Sequence, residues 1–180
     1  MTRLVPILLL VTACGGGGVT VIPESDLPED IFGSPSPSQP GALPERGIIY
    51  LLENGRVRPI GSALTQAGSL PEALVSALLS AVPPDGLKTA VPANTQLIGV
   101  DVSSGVAAVD LTNEFELSAP SRVLALRVAQ VVYTITEAPG IIAVRFSIEG
   151  RPAAVLTGNE QVVDRPVART DYLRFAPPSS

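Results

Sequence analysis

The chain is 180 residues long, carries 12 Lys and Arg against 17 Asp and Glu, and holds one cysteine, no histidine and no tryptophan. A single cysteine excludes an intrachain disulfide, and the missing imidazole excludes His general bases, Cys–His nucleophiles and the usual zinc sites. No Asp/Glu cluster has the spacing of a hard-cation site and no basic run suits nucleic acid, so no cofactor, no metal and no nucleic-acid partner is expected.

In chain order, Met-Thr-Arg precedes the apolar run Leu4–Val11, then Val11-Thr12-Ala13-Cys14 and four glycines. A basic start, a short apolar stretch and small residues before a cleavage point read as a secretory signal. The run is too short to cross a bilayer, which takes ~20 residues. With Cys14 directly after Ala13, the segment resembles the lipobox of bacterial lipoproteins, with Val11 and Thr12 departing mildly from its usual form. The resemblance implies acylation of Cys14, removal of residues 1–13 and attachment to the membrane through the lipid.

Residues 14–45 follow as a tether. From 15 to 45 there are five acids (Glu24, Asp26, Glu29, Asp30, Glu45) and no base, whereas residues 46–180 carry eleven bases and twelve acids. The Gly33–Gly41 segment, rich in Pro and Ser, can neither pair in a sheet nor continue a helix. A coil of this length spans ~30 Å on average. The expected folded part is 46–176, with a short tail at 177–180.

Gly47–Glu53 is an apolar run ended by Asn54-Gly55, a strong hairpin signal, and Arg56–Ile60 returns. Pro59 marks an edge or strand end. Ser69-Leu-Pro-Glu72 has the capping-box spacing with a first-turn proline, and Leu70, Leu74, Leu78 and Ala81 follow at helical intervals until Pro83-Pro84. Thr95–Val102 reads as a strand with Ile98, Val100 and Val102 on one face. Ser103-Ser104-Gly105 fits a three-residue hairpin loop into Val106–Leu111.

Segment 121–137 predicts a second helix. Leu124, Val128, Val131, Val132 and Ile135 form an apolar stripe, and Arg127, Gln130, Thr134 and Glu137 form a polar stripe opposite, expected to be solvated. Pro139-Gly140 ends it. Ile141–Ile148 is a strand with Ile142, Val144, Phe146 and Ile148 on one face, and Glu149-Gly150 turns it into Arg151–Leu156. Asp164–Phe175 is expected to make one helical turn from Thr170 and then fray. The predicted class is α+β: a single domain with a mostly antiparallel sheet of about six strands in hairpins and two main helices on one face.

Five polar residues are candidates for a partner surface. Arg127, Gln130 and Tyr133 lie together on the second helix. Asp101 and Asp110 lie across one hairpin. A carboxylate pair there would suit hydrolysis of a wall polymer; the plainer expectation for Asp110 is a strand-end carboxylate accepting from loop amides.

Four segments in order carry a family resemblance: Tyr50-Leu-Leu with Leu87-Lys-Thr-Ala-Val-Pro-Ala-Asn-Thr-Gln-Leu97, then Gly105-Val-Ala-Ala-Val-Asp-Leu-Thr-Asn-Glu-Phe115, Ala129–Gly140 and Val144–Gly150. Over about residues 46–157 the chain resembles the GerMN domain of spore-germination GerM proteins and of many bacterial envelope lipoproteins. The resemblance implies an extracytoplasmic, membrane-anchored α+β module associated with the envelope and, in spore formers, with sporulation and germination complexes. It supplies no catalytic residues. GerM carries two such domains, and this chain has room for one. The expected function is a lipid-anchored, non-catalytic module that binds an envelope protein or wall polymer. The alternative is a wall-active enzyme, such as a carboxylate-dependent peptidoglycan hydrolase.

Overall fold

A computed structural model describes residues 46–65, 68–116 and 118–178. The signal, Cys14 and the tether lie outside the described residues. Eight strands and two helices follow one another: β1 (Arg46–Glu53), β2 (Arg56–Ala63), α1 (Leu70–Leu79), β3 (Leu97–Ser103), β4 (Val106–Leu111), α2 (Ser121–Ile135), β5 (Ala143–Ile148), β6 (Arg151–Pro152), β7 (Val155–Leu156) and β8 (Val162–Val163). The described residues also hold two 3-10 segments, Asn113–Glu116 and Arg169–Phe175. No described helix is long and apolar enough to cross a membrane.

The α+β class stands, and the strands divide into three sheets. β1 and β2 pair alone, β3-β4-β5-β6 form the main sheet, and β7 pairs with β8. One pairing in the main sheet is parallel: β4 runs alongside β5, with Val109 opposite Phe146. α2 is the crossover between them, and a crossover longer than a tight turn permits parallel pairing where a hairpin cannot. The second half is therefore a β–α–β unit, with hairpins only at its ends.

The turns follow from their residues. Asn54-Gly55, Ser104-Gly105 and Glu149-Gly150 all have positive φ at both positions, as a two-residue hairpin turn whose twist matches its strands requires. Ser103 pairs with Val106, so the middle loop has two residues and not the expected three. Gly105 also lies tight against its surroundings, where a Cβ would come within 3.1 Å of the Gly140 carbonyl.

α1 starts as its spacing requires. Ser69 Oγ accepts from the Glu72 amide at 3.4 Å, and the Glu72 carboxylate accepts from the Ser69 amide at 2.8 Å. Such a reciprocal cap contributes ~1 kcal/mol. Ala73, Leu74, Val75, Ala77 and Leu78 enter the core.

Two expectations about strand faces fail. The pairing slips between Leu97 and Gly99, so Ile98 is an extra residue in β3 and breaks its alternation; it is left 51% exposed. A bulge of this kind bends an edge strand and hinders pairing with another chain. β5 starts at Ala143, one residue after Ile142, which is 70% exposed, while Val144, Phe146 and Ile148 are buried.

The C-terminal stretch does not fray after one turn. Val167 bonds Val144 in both directions at 2.8 Å. Tyr172 and Phe175 are fully buried, and the Tyr172 hydroxyl donates to the Leu156 carbonyl at 3.0 Å. The core therefore needs residues about ten positions beyond the last strand.

Candidate functional site

The largest correction concerns α2. Every residue from Ala125 to Ile135 is buried, the polar ones included. Arg127 is 4% exposed, Gln130 0%, Tyr133 4% and Thr134 0%. The candidates Arg127, Gln130 and Tyr133 are thus interior groups and not a contact patch. A two-sided helix normally turns its polar stripe to water. Here the polar stripe meets backbone groups that no strand satisfies, and buried backbone needs partners.

Each polar side chain of the row has such a partner. Gln130 Nε2 donates to the Tyr50 carbonyl at 2.9 Å, and its Oε1 accepts from the Ala90 amide at 2.7 Å. Thr134 Oγ1 accepts from the Tyr50 amide at 3.0 Å. Arg127 donates through Nε to the Ala90 carbonyl at 3.0 Å and through Nη1 to the Phe115 carbonyl. Its burial lowers its pKa from the ordinary arginine value. Tyr50 is thus completed by helix side chains, and two residues on, Leu52 exchanges both backbone bonds with Lys88. The free edge of β1 is covered by α2 and the loop after α1.

The row ends in an aromatic and ionic cluster. The Tyr50 hydroxyl donates to Glu137 at 2.8 Å, and Arg169 meets the same carboxylate at 2.5 Å. Arg169 also lies 5.5 Å from the Tyr50 ring centre and 5.1 Å from that of Tyr133, and the two rings are 5.3 Å apart. Burial, then the bond to Glu137, push the Tyr50 phenol up to about 12. Burial also raises Tyr133. Tyr133 is therefore an inner ring beneath Arg169.

Asp110 serves its own hairpin. Both of its oxygens lie 3.0 Å from the Gly150 amide. Asp101 is exposed on β3 opposite Ala108, and Asp110 is opposite Gly99. Both lie on the face of the main sheet away from the buried row Ala107, Val109 and Leu111. Among the described residues no group of three or more acids, cysteines or histidines is placed to hold a metal ion.

What sequence reasoning missed is a cleft of about 310 Å³. The first 3-10 segment, the N-terminal half of α2, β5 and the β7–β8 pair enclose it, and Phe115, Leu124, Phe146, Leu156 and Val162 give it an apolar lining. Phe115 stacks on Phe146 at 5.8 Å, and the Arg127 guanidinium lies 5.8 Å from the Phe115 ring centre. Glu116 is the one carboxylate in the lining. The signal for it was weak: two phenylalanines on separate elements, brought together only by the parallel pairing of β4 and β5.

The fold has known counterparts. The tandem GerMN domains of the sporulation protein GerM from Bacillus subtilis match with a TM-score of 0.59 at 22% identity, over 70% of this chain and 46% of that one. This chain thus spans about half of the tandem structure. The first GerMN domain of the same protein matches with a TM-score of 0.52 at 24% identity, over 68% of this chain and 93% of that one. A chain from Clostridium perfringens described as a candidate lipoprotein matches with a TM-score of 0.52 at 17% identity, over 74% and 97%. At these identities the likeness shows the fold. No curated protein matches the sequence. The family model for Germane, described as sporulation and spore germination, matches residues 48–154, and the chain belongs to that family of GerMN-domain proteins.

Proposed function

We propose that the protein is an extracytoplasmic lipoprotein, held to the membrane through acylated Cys14, whose GerMN domain binds an envelope partner or takes part in an envelope assembly without catalysis. The family's association with sporulation and germination makes such a process the context to test. The observation that carries the binding reading is the cleft. It offers an apolar lining over two stacked rings, with one carboxylate, which suits a hydrophobic anchor of a partner with a polar group beside it. Hydrolysis by a carboxylate pair needs two acids facing one bond. The cleft has Glu116 alone, and Asp110 is occupied by the Gly150 amide.

Two measurements test this. Labelled fatty acid should enter the exported wild-type protein and not Cys14→Ala; an exported but unlabelled wild type would remove the anchor. A photo-crosslinking residue at Val162 or Leu124 should form a discrete adduct in cells, while one at Asp101 should not. Release of soluble fragments from purified wall by the protein, lost in Glu116→Gln, would instead establish the enzyme.

A further inference from the structure

Two arginines from separate parts of the chain lie over one buried ring, and a third reaches the carbonyl of the residue after it. Arg122, in the first turn of α2, has its guanidinium carbon 5.3 Å from the centre of Phe175. Arg174 has its own 5.6 Å from the same centre and donates to the Gly158 carbonyl at 2.9 Å. Arg56, just past the first hairpin turn, donates to the Ala176 carbonyl at 3.2 Å. Arg122 also reaches that turn: a Cβ on Gly55 would lie 3.1 Å from its Nη2. All three arginines are exposed, and Phe175 beneath them is not.

None of the three has a carboxylate partner among the described residues. The ion pairs there are Arg58–Glu53, Arg165–Asp171 and Arg169–Glu137. The acids nearest in the chain to Arg56 and Arg174 are thus already engaged. Glu53, opposite Arg56 in the hairpin, is held by Arg58 at 2.5 Å. Asp171, one turn before Arg174, is held by Arg165 at 2.7 Å. Among the described residues the three arginines of the patch therefore have no ion-pair partner. The Arg56 and Arg174 bonds to carbonyls fix those side chains and leave further N–H groups facing water. Pro120 gives α2 no side-chain cap and its first turn holds no acid, so the helix end adds positive potential in the same place.

The same 3-10 segment also exposes Leu173, 64% accessible, next to Arg174. Fixed guanidinium forks match phosphate oxygens. An apolar side chain beside them matches the boundary between headgroups and acyl chains. A soluble phosphate polymer would give the leucine no counterpart. We propose that this end of the domain, formed by Arg56, Arg122, Arg174 and Leu173, is a binding surface for anionic phospholipid headgroups. It goes beyond the anchored-module reading, and its test does not need Cys14 acylation. Each basic residue near an anionic surface contributes about fivefold to partitioning. Three make a weak site in free solution and an effective one for a domain already held nearby.

The test is vesicle co-flotation of residues 15–180, which hold the whole folded unit and lack the apolar run and Cys14. The vesicles are phosphatidylcholine alone, or phosphatidylcholine with about one third phosphatidylglycerol. The chain should bind the anionic vesicles at low salt, lose them in 0.5 M salt and ignore the neutral ones, as a screened surface attraction would. Arg56→Gln/Arg122→Gln/Arg174→Gln should lower partitioning about 100-fold. Leu173→Ser should lower it several-fold at unchanged charge. Arg46→Gln/Arg145→Gln/Arg151→Gln, of equal charge change elsewhere, should stay within about twofold of the parent. If the first triple variant does not fold, Arg122→Gln alone, which gives up only the ring contact, should show about a fivefold loss. Equal loss in the two triple variants, or equal binding to both vesicles, overturns the proposal. So does patch-dependent binding of polyphosphate or a polyglutamate peptide without binding to vesicles.

Discussion

Gln130 and Tyr50, 80 positions apart in the chain, are joined by a 2.9 Å bond from the glutamine Nε2 to the tyrosine carbonyl. The other end of the same amide takes the Ala90 N–H at 2.7 Å. One side chain therefore ties helix, strand and loop, using both its donor and its acceptor. Replacing Gln130 by Leu leaves a buried carbonyl and a half-buried amide without partners. At ~1–3 kcal/mol for the carbonyl and ~1 kcal/mol for the half-buried amide, the loss should be ~2–4 kcal/mol in urea unfolding, a large share of a total of ~5–15 kcal/mol. Gln130→Glu should be worse at neutral pH, because a carboxylate cannot donate to Tyr50. Burial holds such a group's folded pKa above its unfolded one, so the variant should recover stability as pH falls. A variant whose stability does not change with acid would show that the carbonyl has found another donor.

The position of Gln130 was legible and its surroundings were not. Its place on a polar stripe follows from helical spacing, and the structure keeps that helix over Ser121–Ile135. Periodicity says which residues share a face and not what covers the face. Here the cover is the hairpin β1–β2 and the loop through Ala90, both distant in sequence, so a face expected in water is interior. The same limit hid the cleft, since Phe115 and Phe146 meet only through a parallel pairing that local turn signals do not encode. Signals within a few residues did hold: the Ser69/Glu72 box is formed, and Pro59 sits on an edge strand. The strand bulge at Ile98 leaves no mark in composition, and alternation alone cannot reveal it.

Tyr50 should make the protein sensitive to alkali. Its folded pKa is raised to about 12, against ~10 in an unfolded chain. The stabilising proton is fully bound in both states below pH ~10, so its contribution is complete there. It is lost as pH rises from ~10 through about 12, when the unfolded chain releases the proton first. The difference amounts to stability on the order of 2 kcal/mol. Tyr50→Phe should remove this part of the alkaline loss and cost ~1 kcal/mol at pH 7 through the bond to Glu137. Tyr172, also raised by burial, keeps its own contribution, so the comparison is between the slopes of the two proteins. Parallel slopes would assign the alkaline loss elsewhere.

Asp110 separates a structural carboxylate from a working one. Both oxygens are 3.0 Å from the Gly150 amide. Asp110→Asn keeps one acceptor and should cost under ~1 kcal/mol, while Asp110→Ala should cost ~1 kcal/mol by freeing a partly exposed amide. Neither should alter adduct formation from the cleft. Loss of adducts at unchanged thermal stability would return Asp110 to the partner surface.

The family match stops at residue 154, yet the core does not. Val167, Tyr172 and Phe175 are each fully buried. Val167 extends the edge of β5 through two bonds to Val144, and Asp171 accepts from the Ala168 amide at 2.8 Å while pairing with Arg165. Gly158 lies so close beneath this segment that a Cβ there would be 2.9 Å from the Asp171 carbonyl. Burying an apolar side chain of this size contributes ~1.5–3 kcal/mol, so the three together supply ~5–9 kcal/mol, comparable with total stability. A chain ending at residue 160 should therefore fail to fold, although it contains the entire matched region. Phe175→Ala alone should lower stability by ~3–5 kcal/mol through the cavity it leaves, and it should loosen Arg122 and Arg174 together. Circular dichroism and a thermal melt of the two chains decide this. A cooperative melt of the truncated chain near the parent temperature would mean that the C-terminal segment is an attachment to the core and not part of it.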